Sequence, residues 1–256
     1  MSVAANGRNF RIDLSYDGTD FFGWQIQPNV RTVQGELVRA LTRVFDEPVQ
    51  VIGAGRTDTG VHATRQVASV STDRVIPAAG LARALNALLP ADVHVARVID
   101  VPTDFHARFS AIRRTYRYRI VTRPGPFRRR YAWVLPEAPD PASLNAAMAP
   151  WLGLHSFHAF TQGEGALGNT RCRIDRALWR EQEGRLILVL TADRFLYRMV
   201  RLLVAVLVDA HRRGCLEPGI MARLVTEDAT RPPVAPAPAC GLFLAGVDYA
   251  ETTGLE

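Results

Sequence analysis

The chain has 256 residues, enough for one large domain or two small ones, and its 48% hydrophobic content excludes an intrinsically disordered protein. The net charge of +6 favours a polyanionic partner, and all 31 Lys and Arg positions are arginine. Three cysteines lack the spacing of a zinc site or a disulfide framework. The amino terminus has no apolar signal segment, and arginines interrupt the most apolar stretch, 195–210, so we expect a cytoplasmic protein without a membrane span.

The first half of the chain shows the periodicities of four strands and two helices. Alternating apolar residues predict a strand over 10–16, and the Asp17-Gly18 pair that follows predicts a turn. Thr32 is a candidate N-cap for a helix whose apolar positions recur at helical spacing until Pro48. The remaining predicted elements are strands at 49–52, 66–71 and 93–99 and a helix that follows Pro77. Their order, β-α-β-β-α-β, is that of a ferredoxin-like unit.

The second half of the chain shows a similar order with one extra helix. The predicted elements are a strand at 115–121, a helix at 141–152, a hairpin of 174–179 with 186–192, a long helix at 195–213, a short helix near Pro218 and a closing strand at 242–249. We therefore predict an α+β protein of two ferredoxin-like βαββαβ units side by side, residues 1–105 and 106–256, with a cleft between them.

The long predicted helix is apolar almost all round, which is typical of a buried helix. Arg194, Arg198 and Arg201 would nevertheless share one of its faces, because they are spaced at i, i+4 and i+7. A solvated stripe suits Arg194, but Arg201 lies between apolar neighbours, and a buried guanidinium needs a carboxylate or phosphate partner. We expect the partner of Arg201 to be an acid on a nearby loop, and Asp58 is the candidate.

A glycine-rich loop is predicted at 53–63, directly after the strand that ends at residue 52. Its sequence, Gly-Ala-Gly-Arg-Thr-Asp-Thr-Gly-Val-His-Ala, places one cation, Arg56, and one anion, Asp58, between glycines. An ordinary polar surface turn would explain this composition without any function. Whether the loop is such a turn or a functional site depends on the other motifs of the chain.

Short motifs occur along the whole chain, at 16–19 (YDGT), 22–25 (FGWQ), 33–37 (VQGEL), 55–63 (GRTDTGVHA), 104–108 (DFHAR), 116–118 (YRY), 199–201 (MVR) and 241–244 (GLFL). In these residues, and in their order, the chain resembles the tRNA pseudouridine synthase A family, whose catalytic motif is similar to 55–63. Two departures from the family pattern are Thr59, where alanine is commoner, and the segment 151–173, which follows the family loosely.

The resemblance implies an isomerase that converts uridine to pseudouridine at tRNA positions 38, 39 and 40, on the 3′ side of the anticodon arm. It implies the pseudouridine synthase fold, with a central basic catalytic cleft. The reaction breaks a C–N glycosidic bond and rejoins the same uracil through carbon, so no cofactor and no metal are expected. The implied partners are tRNA and a second copy of the chain in a homodimer, and no membrane is expected.

The resemblance also implies roles for individual residues. Asp58 is the implied catalytic carboxylate, which attacks either the ribose or the base. Arg201 would pair with Asp58 and orient it, while Tyr116 would stack on a uracil that has left its own stack. Arg56 would fill the vacated space. The other implied substrate-binding residues are Thr57, His62, Arg108 and Leu242, and arginines at 113, 114 and 128–130 would contact the RNA backbone.

Three alternatives stay open at the level of sequence. The tripeptide at 58–60, Asp-Thr-Gly, is also typical of aspartic proteases, but these need two such loops, and the nearby Arg56 disfavours a proton shared by two aspartates. A non-catalytic RNA-binding module on the same fold would have no need of an intact Asp58. His155 and His158 have the i, i+3 spacing of metal ligands, but no third ligand lies near them in sequence.

Overall fold

A computed structural model describes residues 7–126, 128–161 and 168–250, and these residues form two compact units. The first unit contains the described residues up to Ile112 together with those from Leu244 onward, and the second runs from Arg113 to Phe243. This division differs from the predicted boundary after residue 105, because Ala107 is tied to the first unit. Its N–H donates to Ser69 Oγ at 3.2 Å, and its carbonyl accepts from the Tyr249 hydroxyl at 2.8 Å.

The predicted ranges extend beyond what the structure describes. Residues 1–6, where we expected no signal segment, and residues 251–256 lie outside the described part. So do residues 162–167 of the segment that departs from the family pattern.

Ten strands occur in the described part of the chain. They are β1 (Arg8–Tyr16), β2 (Val51–Gly53), β3 (His62–Thr72), β4 (Val93–Val101), β5 (Ala111–Val121), β6 (Trp133–Val134), β7 (Gly153–Ser156), β8 (Arg171–Gln182), β9 (Arg185–Ala192) and β10 (Leu242–Tyr249). The α-helices are α1 (Val33–Phe45), α2 (Ala78–Leu88), α3 (Pro141–Met148), α4 (Met199–Arg212) and α5 (Pro218–Ala222). The chain is therefore a mixed α+β protein, and no helix in the described ranges has the length and apolar character to cross a membrane.

The first unit is a sheet with two helices in its connections, and its pairs β1–β3, β1–β4 and β2–β3 are antiparallel. Strand β1 lies between β4 and β3, β2 pairs with β3 from Val51 to Gly53, and β10 also neighbours β3. Helix α1 connects β1 to β2, and α2 connects β3 to β4. The predicted N-cap is confirmed, since Thr32 Oγ1 accepts from the Gly35 N–H at 3.2 Å, and the apolar side chains of Leu37 and Leu41 are fully buried.

The second unit has the strand order β5-β9-β8-β7, and neighbouring strands in this path are antiparallel. The short strand β6 returns to pair in parallel with the end of β5. The predicted hairpin is confirmed as β8 and β9. Its turn contains Glu183 and Gly184, both with positive φ, which suits the twist of a tight hairpin.

The long predicted helix begins later than its apolar pattern indicated. Arg198 has φ of 60° and ψ of 6°, a left-handed conformation that interrupts the helical path, so α4 begins at Met199. Arg194 and Arg198 therefore precede the helix, and the prediction that they share a helical face with Arg201 is wrong. The prediction of burial is confirmed, because ten of the fourteen residues of α4 are buried.

Candidate active site

The loop that carries Asp58 connects β2 to β3 in the first unit and is held by backbone hydrogen bonds at both ends. The Ala54 N–H donates to the Val67 carbonyl at 2.8 Å, and the Val61 N–H donates to the Asp58 carbonyl at 3.1 Å. Gly60 has φ of 76°, a conformation that favours glycine. Asp58 is partly exposed in this turn, and the backbone around it is held by these hydrogen bonds.

The segment between β1 and α1 supports this loop from a second side. The Trp24 N–H donates to the Thr57 carbonyl at 3.0 Å, and the Gly60 N–H donates to the Phe21 carbonyl at 3.3 Å. Gly23 has φ of 84°, and a Cβ added there would lie 2.6 Å from the Thr57 carbonyl oxygen. The close approach of two backbone segments therefore requires glycine at this position.

The side chain of Thr57 contributes to the support of the loop. Only 7% of Thr57 is exposed, and its hydroxyl is 2.8 Å from the hydroxyl of Tyr16. Burial raises the pKa of Tyr16, so this phenol stays protonated as a hydrogen-bonding group. Gln66 donates from Nε2 to the Gly55 carbonyl at 2.8 Å. These contacts give Thr57 an observed role in positioning the Asp58 loop, while its predicted contact with substrate stays a prediction.

His62, the first residue of β3, is 1% exposed and lies against the turn after β1. Its Nδ1 is 3.0 Å from the Gly18 nitrogen and 3.1 Å from Asp17 Oδ1, and one ring nitrogen cannot accept from the first and donate to the second. We favour the Gly18 hydrogen bond, because Asp17 Oδ1 already accepts from both the N–H and the hydroxyl of Thr19. His62 thus joins the two loops, and its predicted contact with substrate stays a prediction.

Gly18 lies closer to the Asp58 loop than Gly23 does, and a substitution there tests whether this contact supports the loop. A Cβ added at Gly18 would lie 2.0 Å from the Val61 carbonyl oxygen, so the backbone would have to move. We expect Gly18→Ala to lower the free energy of unfolding by at least about 1–3 kcal/mol, the usual cost of overpacking, and to reduce activity by displacing the Asp58 loop.

The matched control for this substitution is Gly80→Ala in α2, where an added Cβ would meet other atoms no closer than 3.9 Å. That change should raise stability by about 0.5–1 kcal/mol, because alanine favours a helix over glycine. Urea unfolding followed by circular dichroism measures both variants. Equal stability of Gly18→Ala and the parent protein would show that the loops do not need this contact.

The two predicted arginine contacts of the first unit are both on its surface. Arg56 is exposed within the Asp58 loop, and Arg108 is exposed on the turn that precedes β5. The Arg108 guanidinium carbon is 5.4 Å from the ring centre of Phe109, which in turn stacks on His106 at 4.4 Å. Both arginines are therefore accessible to a large polyanion.

The second unit contains the other predicted catalytic residues. Tyr116 lies on β5 opposite Leu190 of β9 and is 8% exposed, with its ring edge-on to Phe195 at 5.0 Å. A tyrosine in this environment has a fixed ring, which suits the predicted stacking on a planar base. Its stacking on uracil stays a prediction.

Arg201 lies in the first turn of α4 and is bound to the segment that precedes β10. Its Nε donates to the Ala237 carbonyl at 2.7 Å, and the Ala237 N–H donates back to the Arg201 carbonyl at 3.1 Å. The hydroxyl of the buried Tyr118 donates to the next carbonyl, that of Pro238, at 2.9 Å. Burial raises the pKa of Tyr118, and the positive charge of Arg201 partly opposes that effect. Leu242, at the start of β10, is buried.

The sequence-predicted site residues thus fall into two groups. One group lies in the first unit and consists of Arg56, Thr57, Asp58, His62 and Arg108, and the other lies in the second unit and consists of Tyr116, Arg201 and Leu242. The pairing of Arg201 with Asp58 stays a prediction, and one observed contact of Arg201 is with the carbonyl of Ala237. Sequence reasoning assigned no role to Tyr16, Gly18 and Trp24, which support the loop, although all three lie in motifs that resemble those of the family.

One of the two histidines that suggested a metal site, His155, contacts a backbone carbonyl. His155 Nε2 is 2.7 Å from the Leu152 carbonyl oxygen. Within the ranges that the structure describes, no group of three or more His, Cys, Asp or Glu side chains is arranged to hold a metal ion.

Known proteins similar to this chain point to one family. The family described as tRNA pseudouridine synthase matches residues 14–110 and 147–250. The chain is 40% identical to tRNA pseudouridine synthase A of Chlorobaculum tepidum, over 96% of the chain and 100% of that protein. Proteins of the same name from Moorella thermoacetica and Bacteroides thetaiotaomicron are 39% and 37% identical, over 93% and 95% of the chain and 98% and 91% of their own lengths. With Asp58 in the loop that resembles the family's catalytic motif, the chain belongs to the tRNA pseudouridine synthase family.

Proposed function

We propose that this protein isomerises uridine to pseudouridine in the anticodon arm of tRNA, with Asp58 as the catalytic carboxylate. The observation that carries the proposal is the Asp58 loop, whose backbone is held on two sides and whose Asp58 is partly exposed. A carboxylate held in this way can act as a covalent catalyst. The match of both parts of the chain to the tRNA pseudouridine synthase family supports the reaction and the substrate class.

The proposed reaction breaks the bond from ribose C1′ to uracil N1 and forms a bond from C1′ to C5. The C5 proton is lost and N1 gains a proton, so atoms and electrons balance without an oxidant or reductant. Asp58 would stabilise the separated sugar and base by a transient covalent bond to one of them. Tyr116 would hold the plane of the uracil by stacking, and Arg201 would orient Asp58.

The remaining parts of the proposal concern the fold, the RNA contacts and the assembly. We assign Asp58 of the first unit and Tyr116 and Arg201 of the second to one reaction in a basic cleft, which the resemblance of all three motifs supports. The strand order β4-β1-β3-β2 of the first unit supports a ferredoxin-like unit, and we propose a second such unit. Exposed Arg56 and Arg108 would contact the RNA backbone, and the active form would be a homodimer.

A direct assay tests this function. Purified protein is incubated with an unmodified tRNA transcript whose uridines carry tritium at C5, and the tritium released to water is measured. We expect release in proportion to the uridines of the anticodon arm, and none from a control transcript in which those uridines are replaced by cytidine. Binding of both transcripts without tritium release would favour the non-catalytic RNA-binding module.

Salt dependence tests whether the basic composition serves RNA binding. Each arginine–phosphate contact releases counterions, so the logarithm of the association constant should fall with the logarithm of salt concentration by about 0.9 per neutralised duplex phosphate. Fluorescence anisotropy of labelled tRNA between low and physiological salt measures the slope. Since the net charge is +6, we expect a steep slope, and a flat response would mean that the arginines do not contact the backbone.

A further inference from the structure

A small cavity in the second unit is lined by three arginines. Its volume is about 110 Å³, several times the share of one water molecule in the liquid. The lining residues are Arg119, Val121, Arg128, Tyr131, Ala132 and Arg185. Among the described residues that line it there is no carboxylate, so the positive charges around the cavity are not balanced from within its wall.

The register of the sheet explains how two of these arginines come together. Val121 of β5 lies opposite Arg185 of β9, and Arg119 lies opposite Ile187. Directly opposed residues point to the same face of an antiparallel sheet, so Arg119 and Arg185 are diagonal neighbours on one face. At this diagonal position the positive charge of Arg185 acts to lower the pKa of Arg119, so the two guanidinium groups repel each other.

The third arginine is brought to the cavity by the turn that follows β5. The Arg128 N–H donates to the Gly125 carbonyl at 3.0 Å, and the Tyr131 N–H donates to the Arg128 carbonyl at 3.0 Å. Two residues after Tyr131, strand β6 pairs with the end of β5, where Trp133 lies beside Ile120. The turn is thereby held against the strand that carries Arg119.

Arg119 is less accessible to solvent than Arg128, so water stabilises its charge less effectively. Its side chain is half-buried, and its guanidinium carbon lies 4.0 Å from the ring centre of Phe243. Its pKa is lowered first by burial and then by the positive charges of Arg185 and Arg117. The surroundings of this guanidinium therefore disfavour its charge, although arginine stays protonated.

We infer that this cavity is a binding site for one phosphate group. Guanidinium groups present paired N–H donors that match phosphate oxygens, and one oxyanion bound among three of them would offset part of their positive charge. The phosphate could come from the RNA backbone or from free phosphate, and these share the same recognition chemistry. We favour a backbone phosphate of the tRNA, a source that rests on the proposed function.

The first arm of the test uses inorganic phosphate and the thermal midpoint of unfolding, with ionic strength held constant by chloride. A ligand that binds only the folded protein raises the midpoint, and we expect a saturable rise of at least about 2 °C. The double variant Arg128→Gln/Arg185→Gln should lose this rise. The matched control is Arg176→Gln/Arg180→Gln, which removes the same charge from exposed positions of β8 and should keep it.

The second arm compares the same variants in tRNA binding as a function of salt. If the cavity holds a backbone phosphate, the association constant of the cavity variant should depend less steeply on salt. The magnitude of its log–log slope should be smaller by about 0.7–0.9, while the control should keep a larger magnitude. If the phosphate-induced rise is lost but the tRNA slope matches that of the control, the site binds free phosphate. Absence of the rise in the parent protein, or an equal rise in both double variants, overturns the site.

The two arms also separate this inference from the proposed function. Phosphate binding is read from unfolding and does not require pseudouridine formation, so it holds or fails independently of the assigned reaction. Circular dichroism at low temperature checks that the cavity variant is folded. The single variant Arg128→Gln changes an exposed position only, and its phosphate-induced rise can be compared with that of the parent protein with a smaller perturbation of the fold.

Discussion

Asp58→Asn is expected to abolish pseudouridine formation while the protein stays folded and binds tRNA. Asparagine has nearly the same shape as aspartate but cannot act as the attacking carboxylate. We expect the rate to fall by at least ~10³-fold, which corresponds to a barrier higher by about 4 kcal/mol. The backbone bonds of the loop, from Ala54 to Val67 and from Trp24 to Thr57, do not use the Asp58 side chain, so the fold should persist.

Single-turnover tritium release measures this loss, and urea unfolding and tRNA anisotropy check fold and binding. The matched control is Asp20→Asn, an exposed acid in the segment that supports the loop, which should keep full activity. Activity of Asp58→Asn within about tenfold of the parent, or roughly 1.4 kcal/mol in the barrier, would remove Asp58 from the mechanism.

Arg201→Met is expected to abolish activity and to lower stability. The observed hydrogen bond from Arg201 Nε to the Ala237 carbonyl is one from a charged donor, and such bonds contribute about 1.5–3 kcal/mol. If Arg201 also orients Asp58, its loss leaves that carboxylate without a partner. Adding Asp58→Asn would then remove the stranded charge, so the double variant should be more stable than Arg201→Met alone.

A double-mutant cycle in urea unfolding measures this coupling. A coupling energy above about 1 kcal/mol between Asp58 and Arg201 would support their proposed contact. Arg212→Met is the control, because Arg212 is exposed at the other end of the same helix and should show no coupling. Strict additivity would limit the role of Arg201 to holding the segment at Ala237.

Local patterns were sufficient to predict several elements of this fold. The Thr32 cap and the spacing of Leu37 and Leu41 predicted α1, because capping and amphipathic periodicity act within a few residues. Alternation and the turn at Gly184 predicted the β8–β9 hairpin for the same reason. The motif at 55–63, together with the other short motifs, indicated the family, because these motifs are contiguous stretches that can be recognised without the fold.

Other features depended on contacts between residues far apart in sequence. The apolar run before Met199 continued the periodicity of α4, but the left-handed Arg198 ends the helical path there, and composition does not reveal this conformation. Thr57 and His62 looked like free polar residues of an accessible loop. Their partners, Tyr16 and Gly18, lie more than 40 positions away and come close only through the packing of two loops.

Sequence patterns were sufficient to identify the family and the helices and strands with strong local signals, and the role of Asp58 as the reacting carboxylate stays a prediction from the motif at 55–63. Only the folded chain shows which polar side chains support the Asp58 loop and which arginines meet around a cavity. Arg119 and Arg185 become neighbours through the register of β5 and β9, 66 positions apart in the chain. Register is set by the pairing and packing of whole strands, so it cannot be read from the residues on either side of an arginine.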